Sequence, residues 1–154
     1  SKIIVMHSFL KINTPVRIIN PENLSFIDTK IIALKNSNEW LKEVIAAENK
    51  KLGEIVFIFC NDTYLLEKNI QFLKHDTLTD VITFDYCEED KISGDIFISI
   101  DRIEENSGIF EITFLSELDR VMVHGLLHLL GYKDKTKKDA KLMRIKEDFY
   151  ISNK

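Results

Sequence analysis

Four residues in the stretch His124-Gly125-Leu126-Leu127-His128-Leu129-Leu130-Gly131-Tyr132-Lys133-Asp134 have the types and spacing of a metal site. His124 and His128 stand at i and i+4, which places both imidazoles on one face of a helix, one turn apart. Two rings so placed can reach one ion. The same turn cannot readily supply a third donor at a suitable angle. Gly131 can take a left-handed conformation, stop the helix and swing the chain back. Asp134, three residues later, then completes the set. Two nitrogens and a carboxylate oxygen suit zinc, and three protein ligands leave a coordination position open. An open position points to catalysis. Nickel, cobalt or manganese could fill the same donors.

Two histidines at this spacing in an apolar helix are more often satisfied core residues than ligands. Here the surrounding helix is Val, Met and Leu, and each unpaired buried imidazole would cost about 1–3 kcal/mol. A metal relieves that cost. The spacing H-x3-H-x2-G-x2-D parallels the way metzincin peptidases build a three-ligand zinc site. Those enzymes carry a Glu base directly after the first His. Gly125 occupies that place here, so a peptidase mechanism lacks its base. A metal would still polarise a phosphoryl or carbonyl oxygen and acidify water. Neighbouring lysines favour phosphate over peptide.

The elements that must position these groups are legible from periodicity. Ile3–Phe9 reads as a first strand. Asn36-Ser37-Asn38 can cap a helix over Glu39–Asn49, with Trp40, Leu41, Val44 and Ile45 at helical spacing. Gly53 stops that element. Glu54–Cys60 is a nearly all-apolar, central strand. Asn61-Asp62 caps a helix through Phe72. Asp80–Tyr86 and Asp95–Ile100 are strands, separated by an acidic turn over Cys87–Gly94. Ser116 and Asp119 resemble a capping box for a helix that runs to Leu130. Thr136–Tyr150 is a last amphipathic helix, with Leu142, Ile145 and Phe149 expected inward and the lysines outward. The order β-α-β-α-β-β-α-α predicts an α+β domain over residues 1–154, with one mixed sheet of about four strands and helices packed on it.

The 154 residues are 45% hydrophobic and 30% charged, the balance of one soluble domain. No apolar run approaches the ~18 residues of a membrane span, so no membrane partner is expected. The N-terminal stretch lacks the form of a cleavable signal. Cys60 and Cys87 form no CxxC or disulfide framework; Cys60 reads as core, Cys87 as a free thiol in a polar loop, and a reducing, cytoplasmic setting follows. Net charge is −4, yet residues 133–146 hold seven bases and two acids. Such asymmetry hints at a polyanionic partner, although on charge alone a solvated basic helix face is the plainer reading.

The stretch His124 to Asp134 resembles the signature HGxLHLxGYDH of the YbeY family. Upstream, Thr79-Asp80-Val81-Ile82-Thr83-Phe84 is similar to that family's TDVLSF block, and Gly94-Asp95-Ile96 to its GDI block. The resemblance implies a metal-hydrolase-like α+β fold, a zinc site and endonuclease action on single-stranded RNA. It also implies a role in small-subunit rRNA 3′-end maturation and ribosome quality control, with ribosomal proteins or the small subunit as partners. Two departures stand out. The family's third His falls on Asp134 and the Asp before it on Lys133. The family's Arg ahead of TDVLSF falls on Leu73, where an Arg would clamp phosphate. Lys74 or His75 could compensate, and His75 is the candidate catalytic residue, against a plain reading as an exposed loop residue.

Three functions stay open on the sequence. The first is a metal-dependent single-strand endoribonuclease, with His124, His128 and Asp134 on zinc and Lys133, Lys135, Lys137 and Lys138 drawing in the RNA backbone. The second is a metallopeptidase or amidohydrolase whose base comes from elsewhere. The third is a non-catalytic ribosome-assembly factor with a structural metal. Asp80 and Asp95 read as bases, as partners orienting a ligand imidazole, or as caps.

Overall fold

A computed structural model describes residues 16–23, 31–74 and 79–154. The expected strand Ile3–Phe9 and the candidate His75 lie outside the described residues. The elements are β1 (Val16–Ile19), α1 (Ile31–Ala47), β2 (Lys51–Cys60), α2 (Asp62–Lys68, continued by a π-helical turn over Asn69–Leu73), β3 (Val81–Asp85), β4 (Lys91–Ser99), α3 (Ile100–Ile109), α4 (Phe114–Leu129) and α5 (Lys137–Ser152).

The fold is α+β around a mixed four-stranded sheet in the order β1-β2-β4-β3. β1 and β2 run parallel, as do β2 and β4, while β3 returns antiparallel along β4 with Val81 opposite Ile98 and Asp85 opposite Gly94. Central β2 is apolar on both sides because both faces are covered. Ile55, Phe57 and Phe59 face the larger core, with Trp40, Leu41 and Val44 of α1 and Val123, Leu126 and Leu127 of α4. Val56, Ile58 and Cys60 face a smaller core with Leu65 of α2, Ile82, Phe84 and Phe97. There the ring of Phe84 meets Phe72 and Phe97 edge-on.

α4 lies on the β3–β4 side of the sheet and packs against α3 and α5. Its approach is close. A Cβ on Gly125 would stand 2.8 Å from Cγ2 of Ile96, a contact that real Cβ atoms essentially never make. The glycine that removes a peptidase base is therefore a packing requirement of this helix on this sheet.

Several expectations are corrected. β1 and α3 were not legible; α3 follows β4 directly, with Ser99 capping it by accepting from the Arg102 N–H, and Ile100 opens this helix instead of ending a strand. α4 is capped by Thr113, whose side chain accepts from the Ser116 N–H, in place of a Ser116–Asp119 box. Cys87, by contrast, is the free thiol in a loop that was expected, half-buried with its thiol against the carbonyls of Ser93 and Leu129. The largest correction is the orientation of α5. Leu142, Ile145 and Phe149 are 45%, 54% and 56% exposed, and the buried face carries Met143, Glu147 and Tyr150. Trp40 donates to the Tyr150 carbonyl, Tyr150 reaches Glu48, and Glu147 reaches α4, so polar contacts choose the face.

Candidate metal centre

α4 carries His124 and His128 at its C-terminal end, and its last turn closes in a Schellman motif. The Gly131 N–H donates to the His128 carbonyl and the Tyr132 N–H to that of Leu127, with Gly131 at φ +102°. A positive φ is unstrained only for glycine. The reversal carries Asp134 back over the two rings.

Nε2 of His124 and Nε2 of His128 are 3.1 Å apart, and Oδ2 of Asp134 lies 3.2 Å from the first and 3.3 Å from the second. Both Nδ1 atoms face acceptors. Nδ1 of His128 donates to the Tyr132 carbonyl at 3.1 Å, and Nδ1 of His124 meets Oε2 of Glu147 at 2.7 Å. These partners keep the Nδ1 protons in place and leave the Nε2 lone pairs aimed inward. Two imine nitrogens and a carboxylate oxygen, all acceptors, then converge on one point. Such a triangle is repulsive without a cation and attractive around one.

The spacing fits a small tetrahedral ion. Bonds of about 2.0–2.1 Å to zinc imply ligand–ligand edges of roughly 3.3–3.4 Å. The observed edges of 3.1 to 3.3 Å need almost no adjustment. Among the described residues, His124, His128 and Asp134 are the group able to hold a metal.

The surroundings favour positive charge. Burial pushes the His124 imidazole down, but the Glu147 hydrogen bond and charge, with Asp134 and Asp80, outweigh it and leave it raised. Glu147 is itself buried and bound to Arg120, whose Nη1 lies 2.9 Å from Oε1. Arg120 also pairs with Asp148 at 2.8 Å. Asp80 is raised by its burial, an effect opposed by His124. Glu117 is raised by burial and by Asp80, and its Oε1 is buried without a partner.

Two clefts of about 440 Å³ each flank the triad, and Asp80, His124 and Asp134 line both. One continues past Phe110, Arg120 and Arg144; the other continues past Leu73, Thr83 and Lys135. The three predicted ligands thus come together. Of the four lysines, Lys135 lines a cleft, while Lys133, Lys137 and Lys138 are exposed and line neither. Asp80 belongs to the site. Asp95 does not line it; buried in β4, it accepts from the Tyr86 hydroxyl at 3.2 Å. Glu147, Arg120 and Glu117 were missed. A buried Glu inside a lysine-rich helix left no local signal of its role.

The family described as Endoribonuclease YbeY matches residues 23–153. The Endoribonuclease YbeY of Flavobacterium psychrophilum is 56% identical over 122 residues, covering 79% of this chain and 87% of its own. That of Flavobacterium johnsoniae is 54% identical over 74% of this chain and 82% of its own. The solution structure of TM1509 from Thermotoga maritima superposes with a TM-score of 0.62 at 34% identity, covering 88% of this chain and 86% of that one. With a family match over residues 23–153 and identity this high over most of both chains, the chain belongs to the Endoribonuclease YbeY family.

Proposed function

We propose that this protein is a zinc-dependent endoribonuclease that cuts single-stranded RNA and acts in small-subunit rRNA 3′-end maturation and ribosome quality control. The observation that carries the reading is the convergence of Nε2 of His124, Nε2 of His128 and Oδ2 of Asp134 within 3.3 Å of one another, open to a cleft on each side. His124, His128 and Asp134 would hold the ion. When bound, it supplies Lewis acidity toward a phosphoryl oxygen and makes water more acidic. Asp134 in place of a neutral ligand lowers that Lewis acidity somewhat, because its charge offsets the metal's.

The chain's own residues do the rest. Glu147 fixes the His124 ring and the Tyr132 carbonyl fixes His128. Asp80 lines both clefts and, unlike Asp134, is not one of the three converging donors; we assign it the proton of the attacking water. Lys135 at one cleft, with Lys133, Lys137 and Lys138 beyond it, draws in the RNA backbone. A peptidase reading is disfavoured, since Gly125 has no room for the side chain that a base would need.

The test is metal content and RNA cleavage measured together on the unsubstituted protein and on His128→Ala. One bound divalent ion and chelator-sensitive cutting of single strands, both lost in the variant, is the expected result. Undiminished cutting by metal-free protein would overturn the reading.

A further inference from the structure

The cleft that runs from His124 and Asp134 past Phe110 and Arg144 has a chemistry that the triad alone does not explain. Its volume, about 440 Å³, is in the range of small-ligand sites, roughly 300–1,000 Å³. Asp80, Glu117 and Glu147 line it, and a phosphate would be repelled by that set. Arg120 is committed to Glu147 and Asp148 at 2.9 and 2.8 Å. Arg144 meets the same two carboxylates only at 3.9 and 4.0 Å and is largely exposed. It is the looser cation of this wall. Phe110 ends α3, its N–H on the Asn106 carbonyl, and Glu111 at φ +56° turns the chain away after it. Phe110 is 58% exposed, a large apolar side chain at the edge of a candidate catalytic centre.

We propose that Phe110 is the stacking platform for the base of the nucleotide next to the cut phosphate, with Arg144 on that nucleotide's backbone. This rests on the endoribonuclease reading above and names the substrate contact that makes it select single strands. A flat apolar ring accepts the π-face of any base. A base can lie on it only when unpaired and unstacked from its neighbours. The carboxylates in the cleft turn the nucleotide so that its base enters and its phosphate stays at Arg144 and the metal triad.

The experiment uses metal-loaded protein, a short single-stranded oligoribonucleotide, and the substitutions Phe110→Ala, Phe110→Leu, Phe110→Tyr and Phe110→Trp. Phe110 is exposed, so all four should melt like the unsubstituted chain. Ala and Leu should raise KM about tenfold or more, and Tyr and Trp should restore it. Leu tests the π-face apart from bulk apolarity. The second readout is fluorescence. The chain has one tryptophan, Trp40, which is 5% exposed and lines a separate groove. Quenching in Phe110→Trp on adding the oligoribonucleotide, absent in the unsubstituted protein, supports stacking. If the unsubstituted enzyme binds and cuts RNA but KM is unchanged in Ala and Leu and the emission of the introduced indole does not respond, the platform is wrong and the endoribonuclease reading stands. If the unsubstituted holoenzyme neither binds nor cuts RNA, both fall.

Discussion

Glu147 of α5 holds Nδ1 of His124 at 2.7 Å across the α4–α5 interface, so the last helix of the chain sets the tautomer and tilt of an imidazole on the helix before it. The same carboxylate takes Arg120 on its other oxygen. It is a buried charge satisfied from both sides, which is the condition under which burial is tolerable.

Glu147→Gln keeps an acceptor for the ring but removes the charge that raises its basicity. Metal affinity is expected to fall about 10- to 100-fold, the usual cost of losing a group that orients a ligand. Competition against a chromophoric chelator measures it. Affinity equal to that of the unsubstituted chain would remove Glu147 from the site.

His124→Ala, His128→Ala and Asp134→Ala should each lose the bound ion, while Asp134→His should keep one equivalent. The expectation follows from the near-equal edges of the triangle, which leave no donor dispensable. Elemental analysis of the purified variants decides it; a full equivalent in Asp134→Ala would dismiss the carboxylate as a ligand.

Leu73 lines the Lys135 cleft and is 42% exposed. The resemblance of the Thr79–Phe84 block implies an arginine at this place. Leu73→Arg should lower KM for RNA several-fold and steepen the salt dependence of binding by about one released counterion. An unchanged salt slope would place the residue off the RNA path.

Gly125→Ala forces a Cβ against Ile96, where a stiff β-branched side chain in a packed core has little room to yield. A loss of about 1–3 kcal/mol is expected, read as a lower melting temperature with little change in the exposed rim of the site. Unaltered melting would mean that α4 can lift from the sheet without cost.

Glu48 ties α1 to the site helices. It accepts from the Tyr132 hydroxyl at 2.5 Å, from the Tyr150 hydroxyl, and from Nζ of Lys146 at 3.3 Å. Burial pushes its carboxyl up, but these three donors outweigh burial and hold it below its ordinary value. A carboxyl depressed in the fold contributes stability above its unfolded pKa and loses that stability as pH falls through its folded pKa. The unsubstituted chain should therefore be more stable than Glu48→Gln at neutral pH, by about 1–3 kcal/mol, and the gap should shrink as pH drops through and below the ordinary carboxylate range. A gap that stays constant into strong acid would contradict the assignment.

Much of the site was written locally. His124 and His128 share a helical face because of their spacing, and Gly131 dictates the reversal that returns Asp134; each step depends only on neighbours within one or two turns. The strands Glu54–Cys60 and Asp80–Tyr86 were legible for the same reason, as was the helix that follows Asn61. α3 was hidden because its sequence IDRIEENSGI has few apolar positions and a glycine near its end.

Tertiary structure decided what local pattern left undetermined. α5 has apolar residues on two faces, Leu142, Ile145 and Phe149 on one and Met143 and Tyr150 on the other. Periodicity favoured the first. The fold buries the second, because only that face brings Glu147 to His124 and Arg120 and Tyr150 to Glu48. A buried carboxylate is costly alone and favourable with its partners, and those partners lie 23 and 27 residues away in the chain. Spacing along a helix can specify which residues meet an ion; which charges stand behind them is set only when separate helices pack.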